Sequence, residues 1–224
     1  MQKILDEAQV SSRQAFSEMQ QSLPNYDKIL LTCALASEVV YEDNPIGELN
    51  LKFMKHNHLI RNAVVSKIIE KLKSSNESQN FQMKYMICNA EKLLIVAFRG
   101  TDIKCFDDIR TDLDSKPDGT LYDLNGKIHV GFLKRCNQVP IDFFVDKIIN
   151  HGFDVVFTGH SLGAAVASLI TLRVLYEKQI YEMNLNKKIL CIGFGVPAFV
   201  DEEFKISIEK EFKNNFHYYV NKSV

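Results

Sequence analysis

The sequence predicts an α/β fold: a mostly parallel sheet with helices on both faces. Three observations predict it. From residue 154 onward, strand-like and helix-like segments alternate three times. The strand-like segments are continuous apolar runs, such as Val155-Val156-Phe157 and Ile189-Leu190-Cys191-Ile192, as strands covered on both faces require. Between the first of these strands and the helix after it lies Gly159-His160-Ser161-Leu162-Gly163, a small-residue hinge with one serine at its centre.

Taken in order, residues 2–22 are polar and rich in helix formers, and predict an N-terminal helix lying on the main body. Residues 27–41 open on Asp27, suited to a helix start, and are apolar nearly all round, which predicts a buried helix. Residues 59–73 carry Ile60, Val64, Ile68 and Leu72 at four-residue spacing, with Lys67, Lys71 and Lys73 between them. That pattern predicts a basic amphipathic helix packed on the core, with a membrane-surface role as the alternative. At residue 80 the texture changes. Phe81–Cys88 and Lys92–Phe98 read as strands joined across Asn89-Ala90-Glu91. Residues 102–124 form a polar connection, Lys127–Phe132 a short extended piece, and 132–150 a helix disturbed near Pro140, whose ring and missing N–H oppose a helix interior. Strand 154–158, helix 162–178, strand 188–194, helix 200–212 and strand 215–220 follow. The chain thus divides into an N-terminal helical segment, residues 1–80, packed on an α/β core, residues 81–224.

Composition narrows the function. Of 224 residues 46% are hydrophobic and 25% charged, enough apolar surface for a core, so a disordered or disulfide-scaffold chain is excluded. With 27 basic and 28 acidic residues the charge is balanced, against a nucleic-acid binder. The longest wholly apolar run, Leu93–Phe98, falls far short of the roughly 20 residues that cross a bilayer. Asp6 and Glu7 stand where a signal peptide carries its apolar stretch, and the five cysteines (33, 88, 105, 136 and 191) show neither metal-ligand nor redox spacing. A cytoplasmic protein with reduced thiols, no metal and no cofactor is expected.

The hinge is where chemistry is expected. A serine between a strand and a helix is held in a strained conformation that exposes its hydroxyl, and side chains two positions to either side would collide, hence Gly159 and Gly163. Ala164, Ala165 and Ala167 let the helix lie close to the sheet. Ser161 also stands at that helix's N-terminus, where free N–H groups and the helix dipole favour an oxyanion. Ser161 is therefore read as a nucleophile.

Around this hinge the sequence resembles the class 3 lipases, the fungal-lipase-like branch of the α/β-hydrolases. Val96-Ala97-Phe98-Arg99-Gly100-Thr101 resembles the family's strand ending in Phe-Arg-Gly-Thr/Ser. Asp108-Ile109-Arg110-Thr111-Asp112-Leu113 resembles its Asn/Asp-Trp-x-x-Asp-Leu segment, although Ile109 replaces the tryptophan and the chain has no Trp. His129-Val130-Gly131-Phe132 resembles His-x-Gly-Phe, and Gly193-Phe194-Gly195-Val196-Pro197 the strand ending Phe-Gly-x-Pro. The blocks fall in the family's order over residues 93–224; residues 1–80 match loosely, around Ala34–Asp43. The resemblance implies that residues 81–224 are a partial hydrolase core and that Thr101 and Leu162 form the oxyanion hole. Leu162 suits that role on its own account, because the N–H after the nucleophile points at the new oxyanion. Arg99 is expected to be a structural ion-pair partner, His129 a core residue, and His160 to point away from Ser161.

Residues 102–124 hold seven aspartates against Lys104, Arg110 and Lys116, with Ile103, Phe106, Ile109 and Leu113 recurring every three or four residues. An acidic amphipathic segment beside an apolar site suits a lid, and the resemblance places the family's lid here. Within the fold the triad order is Ser, acid, His. Ser161, Asp201 and His217 satisfy that order literally, yet the resemblance puts the acid later, in a segment like Val-Asn-x-x-Asp-x-Val-Pro. Here the chain reads Val220-Asn221-Lys222-Ser223-Val224 and ends. His217 is then expected to be structural, and the chain to be a C-terminally truncated lipase or a degenerate relative lacking acid and base. The implied function is a serine ester hydrolase, an acylglycerol lipase working through an acyl-Ser161 intermediate, with at most weak catalysis in a form short of its triad partners. Its expected partners are a lipid or small ester substrate and, transiently, a membrane surface, with no nucleic acid. The alternatives are a non-catalytic lipase-like module that binds lipid or a partner, and another serine hydrolase of this fold such as a thioesterase.

Overall fold

Alternation along the strands organises the molecule. In a strand successive side chains point to opposite faces, so a run in which every residue is apolar needs cover on both sides. A computed structural model of the chain describes residues 26–42, 48, 63–64, 83–88, 92–100, 119–122 and 124–220, and shows that cover. Among the described residues six strands lie side by side in sequence order: β1 (Ala63–Val64), β2 (Met83–Cys88), β3 (Leu93–Phe98), β4 (Asp154–His160), β5 (Ile189–Phe194) and β6 (Phe216–Tyr219). The first two pairings are antiparallel, and β3 to β6 run parallel. The register sets Leu94 beside Val155, Val156 beside Leu190 and Ile192 beside His217. Every residue of β3 is buried.

The two faces carry separate cores. Leu93, Ile95, Val156, Leu190 and Ile192 pack against α1 (Tyr26–Val39), which buries Tyr26, Ile29, Cys33 and Val39. The alternate residues Leu94, Val96, Phe98, Val155, Phe157, Ile189 and Cys191 pack on the opposite face. There they meet α2 (Val130–Asn137), α3 (Asp142–Ile149), α4 (Leu162–Leu175) and α6 (Glu202–Phe212). A short helix, α5 (Lys178–Glu182), follows α4. The mostly parallel sheet with helices on both faces is therefore the observed architecture. Phe157 lies at the centre of the larger core, edge-on to Phe144 at 5.0 Å between ring centres and stacked on Phe98 at 6.2 Å.

Several polar groups inside this core are hydrogen-bonded, whereas the buried Thr32 hydroxyl on α1 has no partner among the described residues. The Thr158 hydroxyl donates to the Ile192 carbonyl at 2.7 Å and lies 3.0 Å from the Ser37 hydroxyl, tying α1 to the sheet. Ser168 and Thr171 donate back to the Ala164 and Ala167 carbonyls within α4. Arg173, which alone along α4 is not buried, donates to the Cys136 and Val139 carbonyls at 2.6 and 2.8 Å. It thereby occupies acceptors that the end of α2 leaves open.

Several elements differ from the sequence reading. Ala63 and Val64 are strand, paired with Cys88 and Ile87, where a helix over 59–73 was expected; pairing at a sheet edge overrides a helical period read from one segment alone. The helix expected over 132–150 is two, α2 and α3, because Pro140 removes the N–H that a continuous helix needs. Of the extended piece at Lys127–Phe132, only Ile128 makes bridges, to Gly119 and Val200, and Val130 already begins α2. Helix 162–178 stops at Leu175. Helix α1 buries one stripe and leaves Lys28, Leu31 and Glu38 exposed, where a fully buried helix was expected. The helix expected over 2–22, the turn at 89–91 and all but residues 119–122 and 124 of the lid segment expected over 102–124 lie outside the described residues.

Phe157→Ala removes a ring from the middle of this packing. It is expected to lower unfolding stability by about 3–5 kcal/mol, read from the midpoint of urea denaturation.

Candidate active site

Strand β4 runs on past the expected end at residue 158, because Gly159 and His160 still pair with Gly193 and Phe194 of β5. The chain then has one residue in which to turn from strand to helix. That residue is Ser161, with φ 55° and ψ −125°. A side chain in this region of backbone space costs on the order of 1–3 kcal/mol and persists only where the surroundings enforce it. Here the enforcing contacts are visible. The Ser161 N–H donates to the Phe194 carbonyl at 2.9 Å, and the Ser161 carbonyl accepts from the Ala164 and Ala165 N–H groups at 2.9 and 3.3 Å. Among the described residues the Ser161 hydroxyl has no hydrogen-bond partner, and Ser161 is half-buried.

The two glycines are required by contact. A Cβ on Gly159 would stand 2.5 Å from the Gly163 carbonyl carbon and 2.8 Å from the Ala164 nitrogen. A Cβ on Gly163 would overlap the Phe98 carbonyl oxygen and lie 3.0 Å from the Gly100 nitrogen. The first turn of α4 thus sits directly on the ends of β3 and β4. Leu162 holds the first helical position, where an amide has no carbonyl one turn back within the helix, so its N–H is available to an oxyanion beside Ser161. Thr101, the other expected donor, lies outside the described residues. Its predecessor Gly100 is described, and a Cβ there would stand 3.3 Å from the Gly163 nitrogen.

Gly100 also reveals a residue that sequence reasoning missed. Its N–H donates to the Tyr41 hydroxyl at 3.0 Å, and that hydroxyl donates to the His160 carbonyl at 3.4 Å. The Arg99 guanidinium lies over the Tyr41 ring, 5.8 Å from its centre. The loose match of Ala34–Asp43 was the only sequence signal near it, and nothing in a single tyrosine marks a contact across 59 or more residues.

The acid and histidine that sequence order offers for a triad are placed elsewhere, as are His129 and His160. Asp201 caps α6: one carboxylate oxygen accepts from the Phe204 N–H at 2.8 Å and the other from the Lys127 N–H at 2.9 Å. His217 lies two strands away from β4, level with Thr158, hence about 10 Å back along the strands from Ser161. Its Nε2 is 3.2 Å from the Asn214 carbonyl, and its ring meets Tyr26 edge-on. The literal triad is therefore not assembled. His129 is 6% exposed, caps α2 by accepting from the Gly131 N–H, and packs edge-on to Phe132. His160 is exposed and faces Gly195 rather than Ser161. Cys33, Cys136 and Cys191 are buried free thiols, the last two pushed up to about 11 by burial. Among the described residues no group of three acidic, histidine or cysteine side chains is placed to hold a metal ion, and no helix is long and apolar enough to cross a membrane.

A strained serine at a strand-to-helix hinge, on a mostly parallel sheet with an open amide beside it, defines a chain of the α/β-hydrolase class. The sequence profile of the class 3 lipases, described as Lipase (class 3), matches residues 95–223, more than half of the chain, so the chain belongs to that family. Comparison with curated proteins finds no match. Solved structures share the fold. The lipase–propeptide complex of Rhizomucor miehei is 17% identical with a TM-score of 0.61, over 89% of this chain and 62% of that one. The lipase of Rhizopus microsporus var. chinensis is 21% identical with a TM-score of 0.60, over 90% and 66%. Lipase II of Rhizopus niveus is 19% identical with a TM-score of 0.58, over 91% and 72%. This chain therefore spans about two thirds of the length of the solved lipases it matches.

Two measurements check this account. Gly163→Ala must push the helix off the β3 end, and is expected to cost about 1–3 kcal/mol of stability by urea denaturation. Burial lowers the His217 pKa below its ordinary 6.5, so the folded protein binds fewer protons there than the unfolded chain. Stability is then full above pH 6.5 and declines as pH falls through that value. Comparing urea midpoints at pH 7.5 and 5.5 should show the decline, reduced in His217→Gln.

Proposed function

We propose that the chain carries the nucleophile of a serine ester hydrolase, an acylglycerol lipase that works through an acyl-Ser161 intermediate. The strained Ser161 is the observation that carries this reading. Backbone strain is retained where it serves a site, and this strain turns a hydroxyl out of the hinge beside an unoccupied helix N-terminus. Family membership supports ester hydrolysis, and one similar structure is described as a triacylglycerol lipase whose catalytic centre is a serine-protease triad.

In this mechanism Ser161 Oγ attacks the ester carbonyl and gives up its proton to a base. The carbonyl oxygen becomes an oxyanion held by the Leu162 N–H and by Thr101. Collapse breaks the ester C–O bond, the alcohol leaves with the proton, and water then releases the acid from Ser161 by the same route reversed. Asp201 and His217 are committed elsewhere, so neither is assigned as acid or base of this step. Buried, unpaired Cys33, Cys136 and Cys191 support a reducing, cytoplasmic setting. The same commitments of Asp201 and His217 favour a second reading, a lipase-like module that binds lipid without turning it over.

A fluorophosphonate probe and short-chain p-nitrophenyl esters separate the two. Ser161-dependent labelling is expected, with ester turnover lower in Ser161→Ala than in the unaltered chain. Turnover equal in the two proteins overturns the hydrolase reading. Liposome binding without any labelling would favour the binding module.

A further inference from the structure

Tyr41 follows α1 closely in sequence, yet its hydroxyl lies between the two strand ends that bear the site. The bonds form a directed relay: the Gly100 N–H donates to Tyr41 Oη, and the Tyr41 O–H donates to the His160 carbonyl. Gly100 immediately precedes Thr101, and His160 immediately precedes Ser161. These strands, β3 and β4, pair in parallel register only as far as Phe98 and Gly159. Beyond that point the sheet ladder no longer holds them together, and the tyrosine hydroxyl takes up the next backbone donor on one side and the next acceptor on the other.

The surroundings are shaped to admit this hydroxyl. A Cβ on Gly100 would overlap Tyr41 Oη and stand 2.9 Å from the His160 carbonyl oxygen. The absent side chain at position 100 is thus occupied by the tip of Tyr41. From the other side the Arg99 guanidinium covers the ring. Ring and hydroxyl are each held by residues one or two positions from the expected oxyanion donor at Thr101.

We infer that Tyr41 is a positioning residue of the hydrolase site, its hydroxyl setting the spacing between the Gly100 backbone and the His160–Ser161 backbone. It touches no reacting atom. Its effect is geometric: Ser161 follows His160 in sequence and the expected oxyanion donor Thr101 follows Gly100, so the separation of the Gly100 and His160 backbones bears on whether both meet one carbonyl group. The inference rests on the proposed hydrolase function.

The test uses the whole 224-residue chain with Tyr41→Phe, which deletes only the hydroxyl, and Tyr41→Leu, which also removes the ring beneath Arg99. Carbonyl-¹³C arginine with ¹⁵N glycine isolates the Gly100 amide, because Arg99-Gly100 is the only Arg-Gly step in the sequence. In Tyr41→Phe the Gly100 resonance is expected to move and its hydrogen exchange to quicken. The rate of Ser161 labelling by a fluorophosphonate is expected to fall roughly ten- to hundredfold with the thermal midpoint little changed. An unmoved Gly100 resonance overturns the inference, as does a moved resonance with wild-type labelling. So does a slowed rate in Tyr41→Leu alone, which assigns the effect to ring packing. Absence of Ser161-dependent labelling in the wild type overturns the hydrolase reading itself and the positioning role with it, and the Gly100 resonance then still reports whether the clamp exists.

Discussion

The first turn of α4 and the ends of β3 and β4 meet backbone to backbone, and the rest of the structure is arranged so that they can. Gly159, Gly163 and Gly100 are without side chains because each Cβ would lie inside a neighbouring main chain or the Tyr41 hydroxyl. That approach leaves one residue for the reversal from strand to helix, and Ser161 makes it at positive φ. The conformation is costly for any side chain, and its cost is offset by three backbone hydrogen bonds around Ser161 and by a helix of which nearly every residue is buried.

Support for this hinge comes from both sides of the sheet. The inward helix α4 fills the larger core with Ala164, Ala165, Val166 and Leu169, while α1 packs on the other face and sends Tyr41 up to the strand ends. Neither face alone holds Ser161 in place. The acids and histidines that sequence order could place in a triad serve this framework. Asp201 caps α6 and ties it to the Lys127 backbone, and His217 closes the edge of the sheet against Tyr26. Among the described residues each oxygen of the Asp201 carboxylate meets a backbone N–H and neither meets a histidine.

Much of this was legible in the sequence, for identifiable reasons. The continuous apolar runs at 155–157 and 189–192 could only be strands covered twice, and the two separate cores show that cover. Gly159 and Gly163 flanking Ser161 announced a close approach, and the contacts of their absent side chains confirm which backbones approach. What failed was local periodicity without partners. Val64 fits a helical stripe but lies in a strand, and the helix read across Pro140 is two helices. Tyr41 was invisible because its role is a contact between segments distant along the chain, which no pattern within one segment can encode.

The sequence by itself therefore determined the class of fold and the place of the strand-to-helix hinge at Ser161, since these follow from residue size and spacing. Only the tertiary structure decided which candidates stand near that hinge. It set His217 two strands away, spent Asp201 on a helix end, and brought Tyr41 between Gly100 and His160. The reason is physical. Local spacing fixes which face a side chain takes, but its distance from another segment is set by strand order and register, which are properties of the packed sheet.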